Sequence, residues 1–268
     1  MCKDCGCSLG GHDHAHTHAD GTTHSHAHDH GAEHGHGAAH EHSHSHAHPA
    51  LNESKTVEVI TKILSQNDEE AAHNRAHLDE HGILCVNLMS SPGSGKTTLL
   101  EATIKSGKFK IGVVEGDLET NQDADRIIKA GGKAHQITTG QACHLDAFMV
   151  HEGLHYLPLE GLDIVFVENV GNLVCPASYD VGSHFNVVLL SVPEGDDKVA
   201  KYPVMFRAAD LIVITKTSLL PHFEFDVKKV VKEARKLNPK VDVVELDAKT
   251  GEGMEKWLNF LKFKKELR

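Results

Sequence analysis

An apolar run, ILCVNLM at 83–89, leads straight into SSPGSGKTT at 90–98, and TTLLEATIK carries on from 97 at helical spacing. A buried strand, a glycine-containing turn and a helix follow one another without a spacer. That junction restricts the chain to folds in which a strand ends at a ligand-facing turn. Further apolar runs of strand length occur at 110–116, 134–137, 162–168, 186–192, 211–215 and 241–246. Helical patterns such as ETNQDADRIIKAG, FDVKKVVKEARKLN and GMEKWLNFLKFKK separate several of them. Near-continuous apolar strands with helical crossovers need both sheet faces covered. Residues 83–268 are therefore predicted to form an α/β domain, a P-loop NTPase fold with a mostly parallel central sheet flanked by helices.

Residues 1–48 cannot join that core, because they hold almost no large apolar side chain. They carry Lys3 against Asp4, Asp13, Asp20, Asp29, Glu33 and Glu41, a net −5 of the chain's −11. The expectation is a disordered metal-binding tail. Residues 49–82 read as a linker and an amphipathic helix, with Val57, Ile60, Ile63 and Leu64 at helical spacing and Gly82 closing it.

The turn after the first strand has phosphate-binding chemistry. Pro92, Gly93, Ser94, Gly95, Lys96, Thr97 and Thr98 place backbone N–H groups, a lysine and a hydroxyl at a helix N-terminus. Lys96 suits the β- and γ-phosphates, and Thr97 suits Mg²⁺. The pattern departs at Ser90, where glycine is usual. Asp117 ends the second strand and Glu168 the fourth, with Gly171 three residues on. Lys96, Asp117 and Glu168 are the catalytic candidates, and Asp117 joins Thr97 as the magnesium pair. An acid–x–x–Gly after a strand suits a sensor of the terminal phosphate.

Five segments, NRAHLDEHGILCVNLMSSPGSGKTTLLE, GQACHLDA, VENVGNLVCPA, PEGDDKVAKYP and KTGEGMEKW, together resemble the HypB-type GTPases, nickel-insertion proteins of [NiFe]-hydrogenase maturation. The likeness runs from about residue 70 to 260. It implies a GTP-hydrolysing metallochaperone that is a homodimer when GTP-bound. Its implied partners are other maturation proteins and the hydrogenase large-subunit precursor. In the family a lysine of the partner subunit approaches the nucleotide, and Lys198 or Lys201 fits that role here. Arg207 is the nearest candidate for an arginine finger. Without a placed finger, turnover is expected to be slow, since a finger is worth roughly 10³–10⁵ in rate.

The base-reading segment departs from the family. Thr215-Lys216-Thr217-Ser218 stands where the resemblance implies Asn/Thr-Lys-x-Asp, and Asp247-Ala248-Lys249-Thr250 where it implies Ser-Ala/Cys-Lys-Thr. Lys216, Thr217, Ser218, Ala248 and Lys249 are the base-binding candidates. A neutral hydrogen bond contributes about 1 kcal/mol and a charged one about 1.5–3 kcal/mol. Ser218 is therefore expected to weaken guanine discrimination.

Cysteine and histidine gather in two places. By spacing alone, Cys143-His144 and Cys175 are either inert core residues or ligands; the resemblance implies a metal site. Cys2, Cys5 and Cys7, with the α-amine of Cys2 if Met1 is removed, suit Ni²⁺, with Zn²⁺ also open. Behind them come His12, His14, His16 and His18, then His24, His26, His28 and His30. His34, His36, His40, His42, His44, His46 and His48 complete the tract. Alternate residues of an extended chain share a side about 6.6 Å apart, which gives many weak, exchangeable sites. His73, His77 and His81 form an i, i+4, i+8 stripe on the predicted helix, read mainly as a polar face. Cys85 is expected in the core.

No basic patch for nucleic acid and no run of about 20 apolar residues for a membrane is present. The amino-terminal sequence lacks a signal-peptide apolar core, and six unevenly spaced cysteines do not make a disulfide framework. A reducing, cytoplasmic setting is expected. Two alternatives are a nickel or zinc storage protein with a degenerate nucleotide domain, and a urease accessory GTPase. The second uses a Cys-Pro-His motif, whereas Cys175-Pro176 here is followed by Ala177.

Overall fold

The computed structural model describes residues 15–17, 23–25, 54–117 and 121–268. Contacts divide the chain into two units, Met1–Val57 and Glu58–Arg268. In the first unit, β1 (Ala15–Thr17) pairs antiparallel with β2 (Thr23–Ser25), placing His16 opposite His24. Cys2, Cys5, Cys7 and the other tail histidines lie outside the described residues.

The second unit is built on seven strands: β3 (Leu84–Ser90), β4 (Ile111–Asp117), β5 (Lys133–Thr138), β6 (Ile164–Glu168), β7 (Phe185–Ser191), β8 (Leu211–Thr215) and β9 (Asp242–Glu245). Their order is β5-β4-β6-β3-β7-β8-β9, and every pairing is parallel. All seven predicted strands are present, within two residues at each end. Val86 and Leu88 point into one apolar layer with Leu99, Leu100 and Trp257, from α2 (Lys96–Lys105) and α8 (Met254–Glu266). Cys85 faces the other side with Leu78, Val150 and Leu154, from α1 (Ser54–Glu80) and α4 (Ala147–His155). Both faces are thus covered, which is why β3 shows no polar alternation. Burial pushes the Cys85 thiol up to about 12, in keeping with an inert core residue. The other helices are α3 (Gln122–Lys129), α5 (Lys198–Lys201), α6 (Pro203–Arg207) and α7 (Val227–Leu237). Helix α4 has an identifiable start, because Asp146 accepts the Met149 N–H at 2.8 Å as an N-cap.

Helix α1 is docked by polar groups inside an apolar seam. Asn67 Oδ1 accepts the Ala147 N–H at 2.9 Å, and Asn67 Nδ2 donates to Asp180 O at 2.8 Å. Asn74 Nδ2 donates to Ala147 O at 2.8 Å. Arg75 also grips the Asp180 carboxylate through two bonds, but that pair is partly exposed and contributes little. Asn74 is fully buried, so its loss removes its side-chain hydrogen bonds to Ala147 O and with His151, and leaves a void in the seam. Asn74→Ala is expected to cost about 1–3 kcal/mol. Urea denaturation of the variant checks this, and a change within error of zero would contradict it.

Candidate functional site

The carboxyl end of β3 lies between the ends of β6 and β7, where ligands bind in open parallel sheets. The chain there turns through Gly93 (φ 76°) and Gly95 (φ 99°), both left-handed, and enters α2 at Lys96. Lys96 Nζ lies 3.3 Å from Ser90 Oγ. Ser90, the departure from the motif, is buried and its hydroxyl donates to Ser91 O at 2.7 Å, so the turn closes without a glycine there. Glu194, which sequence reasoning missed, clamps the turn from beyond β7. Its carboxylate accepts from Ser91 Oγ, from Ser94 Oγ at 2.7 Å and from the Ser191 N–H at 2.7 Å.

A cavity of about 220 Å³ opens beside the turn, with Pro92, Gly93 and Lys96 on one side and Asp117, Glu168 and Gly171 on the other. Thr97 Oγ1 donates to Glu168 Oε1 at 2.7 Å. Gly171 lies against the turn: a Cβ there would sit 2.9 Å from Pro92 Cα. Two further acids line the cavity, Glu115 and Asp123. Glu115 was hidden inside an apolar run, where a charged residue in a buried strand was the available signal. Glu168 is held above the usual carboxylate range by burial, partly offset by Lys96 and Thr97. Glu115 is pushed up to about 8 by burial and then by Glu168, Asp117 and Asp123. One carboxylate oxygen on each of Glu115 and Glu168 is buried without a hydrogen-bond partner. Clustered carboxylate oxygens with unsatisfied acceptors fit a hard cation such as Mg²⁺; of the expected pair, Asp117 lines this cavity and Thr97 lies behind it, bonded to Glu168.

The base-binding candidates converge on a second cavity of about 310 Å³, lined by Ser94, Gly95, Thr98 and Thr215 from one side and by Lys216, Ser218, Asp247, Ala248 and Lys249 from the other. Thr217 is not among the lining residues; its N–H donates to Leu246 O at 3.4 Å. Lys216 is the one non-glycine residue among those described with positive φ, at 59°. Its Nζ donates to Gly93 O at 2.7 Å, and Thr215 Oγ1 donates to Ser94 O at 2.7 Å, tying the base segment to the phosphate turn. The expectation that Ser218 acts without charge assistance is corrected here. Ser218 Oγ donates to Asp247 Oδ2 at 2.5 Å, so the carboxylate lost from position 218 stands at 247 and touches the serine. Burial raises the Asp247 pKa, but hydrogen bonds from Ser218, Thr250 and Lys249 outweigh it and leave the group below its usual value, hence ionised.

Cys143, His144 and Cys175 come together, each offering a ligand atom within 4.8 Å of the others. Cys143 Sγ is 3.8 Å from His144 Nδ1. The His144 ring stacks on Tyr179 at 3.9 Å. Burial holds His144 below its ordinary value, Asp146 opposing, and so favours the neutral imidazole that a metal needs. Cys175 opens a short 3₁₀ turn, Cys175–Ser178. Thiolate and imidazole suit Zn²⁺ or Ni²⁺.

The link between the phosphate and metal loops is Asn169, also missed in the sequence. It is fully buried, directly after Glu168. Its Oδ1 accepts the N–H of Leu145, next to His144, at 3.0 Å, and its Nδ2 donates to Asn87 Oδ1 at 3.2 Å. The other candidates are less committed. Lys198 donates to Glu194 O at 2.6 Å and Lys201 pairs with Asp197 at 2.5 Å, while Arg207 is exposed on α6.

A family model for the CobW/HypB/UreG nucleotide-binding domain matches residues 84–245. The hydrogenase maturation factor HypB of Azotobacter chroococcum is 49% identical over 217 residues, which is 80% of this chain and 70% of that protein. The chain belongs to the CobW/HypB/UreG family, in its HypB branch. The hydrogenase/urease maturation factor HypB of Helicobacter pylori is also 49% identical, over 79% of this chain and 89% of that one. Among solved structures, HypB from Helicobacter pylori in complex with nickel matches with a TM-score of 0.73 and 48% identity, over 75% of this chain and 95% of that one. HypB from Archaeoglobus fulgidus matches at 0.70 and 43%, over 75% and 100%. Membership makes the fold a P-loop nucleotide-binding domain. Among the described residues no helix is long and apolar enough to cross a membrane.

The Glu115 environment has a measurable consequence. Between its usual 4.5 and about 8, the folded chain holds a proton on Glu115 that the unfolded chain has released. Its contribution to stability therefore falls as pH rises through that window. Glu115→Gln stays neutral throughout. Without nucleotide or Mg²⁺, the variant's Tm is expected to fall less than that of the parent between about pH 5 and 8. Thermal melts across that range check it, and parallel pH profiles would contradict it.

Proposed function

We propose that this chain is a slow GTP hydrolase and metallochaperone that binds, stores and delivers nickel for [NiFe]-hydrogenase maturation. GTP binding, homodimerisation and metal binding are coupled in this reading. The observation that carries it is Asn169, one residue from Glu168 and hydrogen-bonded to the backbone beside His144. Movement of the Glu168–Gly171 loop in response to a terminal phosphate then displaces both metal-bearing segments. Val174, next to Cys175 in sequence, and Phe148 on α4 are apolar and exposed, which suits a surface that a second copy covers. Nickel is the cargo, and its implied recipients are other maturation proteins and the hydrogenase large-subunit precursor.

The nucleotide chemistry follows from the side chains. The turn at 91–95 offers its backbone N–H groups to the phosphates, and Lys96 supplies a positive charge. Glu168 holds Thr97 in place. Thr97 and Asp117 would hold Mg²⁺, which would supply positive charge to offset that of the phosphates. For the base, Ser218 donates its O–H to the Asp247 carboxylate, which leaves its oxygen lone pairs as the acceptor that lines the cavity. An acceptor pairs with the guanine N1–H and is repelled by the adenine N1 lone pair. Asp247 thereby restores the selectivity that Ser218 alone would lose.

GTP turnover by the full chain, with and without Ni²⁺, tests the reading. Slow turnover that changes with Ni²⁺ is expected, and Cys143→Ala is expected to remove the metal response. A variant that still responds in full refutes the coupling, and no turnover at all returns the chain to a storage role. Asp247→Ala is expected to reduce the preference for GTP over ATP about tenfold, in line with the roughly 1–2 kcal/mol separating charged from neutral hydrogen bonds. Competition binding of the two nucleotides measures it, and an unchanged ratio would assign discrimination elsewhere.

A further inference from the structure

The histidine stripe on α1 does not face solvent alone. Asn67 and Asn74 seat α1 against the start of α4, and this brings His73 and His77 opposite His151 and His155, an i, i+4 pair on α4. The rings of His73 and His151 lie 5.0 Å apart, and those of His77 and His155 6.2 Å apart. Glu70 stands one turn before His73. Its Oε1 is 3.4 Å from His73 Nδ1 and 3.0 Å from His151 Nδ1.

The atoms around His151 Nδ1 are oxygens. Asn74 Oδ1 is 3.0 Å away on a side chain whose Nδ2 is already donated to Ala147 O and Val181 O. Glu70 Oε1 is the other. The opposite nitrogen, Nε2, lies 2.9 Å from His155 Nε2. With Nδ1 protonated, His151 donates to these oxygens; in the tautomer that donates from Nε2 to His155, the Nδ1 lone pair instead faces two acceptors, a set that a cation completes. Metal–ligand bonds of about 2.0–2.2 Å put neighbouring ligand atoms about 3–3.5 Å apart, which is the spacing seen around Glu70. One ligand atom from each of Glu70, His73 and His151 falls within 4.8 Å of the others.

We propose that Glu70, His73 and His151 form a divalent-cation site on the α1–α4 face. It shares no ligand with Cys143, His144 and Cys175. Two imidazoles and a carboxylate suit Zn²⁺ or Ni²⁺ better than Mg²⁺ or Ca²⁺. His155 is a positioning residue: it takes the proton of His151 Nε2 and leaves Nδ1 free to bind, as outer partners of metal-bound histidines do. The site is open at one edge, with the His73 side chain 61% exposed and that of His151 28% exposed, so an ion reaches it directly from solvent. His77 and His81, stacked edge to face at 5.3 Å, extend the imidazole surface beside it. The inference rests on this geometry and not on the nucleotide reading.

The test is histidine carbethoxylation of the full chain with diethyl pyrocarbonate, read residue by residue by peptide mass spectrometry, with and without excess Zn²⁺. Zn²⁺ is expected to slow modification of His73 and His151 at least tenfold. Glu70→Ala is expected to restore the reactivity of His151 in the presence of Zn²⁺, and so is His73→Ala; the His73 side chain is exposed and that of Glu70 partly so. Unchanged reactivity in the parent chain overturns the proposal. So does protection of His151 that survives both substitutions, and protection lost only in Cys143→Ala, which would trace the effect to the cysteine site.

Discussion

Glu115, Asp117, Asp123 and Glu168 crowd around the Lys96 ammonium at the carboxyl edge of the sheet, with Asp123 also paired to Arg126 at 2.9 Å. Two of these acids are nearly sealed from water. Parallel pairing sets this crowding, because β4 and β6 run side by side with Glu115 in register with Glu168. The sheet cannot separate the charges without breaking its ladder. The fold answers in part by raising the pKa of Glu115 and Glu168, and in part by hydrogen-bonding Glu168 to Thr97. Like charges held this close repel, and a cation bound among them would relieve that repulsion.

Buried amides connect the working parts. Asn87 on β3 bonds Asn186 on β7 at 3.0 Å and accepts from Asn169 beyond β6. Asn67 and Asn74 perform a similar service at the α1 seam. In each case a neutral side chain that both donates and accepts fixes the relation of two loops or elements without burying charge. Apolar packing alone would hold them together but would not set their register.

Much of this was legible in the sequence. The strand–turn–helix junction, the apolar runs and the order of motifs gave the sheet, the phosphate turn and the placing of Asp117 and Glu168 at strand ends beside it, because each depends on local pattern. Cys143, His144 and Cys175 were found through resemblance, since their spacing alone fits a buried core equally well. The rest depends on tertiary contact. Asn169 and Glu194 lie within family-like segments, but their importance lies in partners 24 and 103 residues away along the chain. The exchange of serine and aspartate between 218 and 247 reads as two unrelated departures until the fold joins them. The helix histidines gave the stripe, and Glu70 stands one turn before it on the same helix, but the opposing pair came from α4 packing and could not be read from spacing.

The contact between Gly171 and Pro92 has a directional consequence. It is a steric stop, with too little room for even one added carbon. Two surfaces in such contact resist compression and offer almost nothing against separation. The phosphate turn can therefore push Gly171 outward but cannot pull on it there. Its hold on the segment lies at the start, where Thr97 bonds Glu168, so a push at Gly171 pivots the chain about that end.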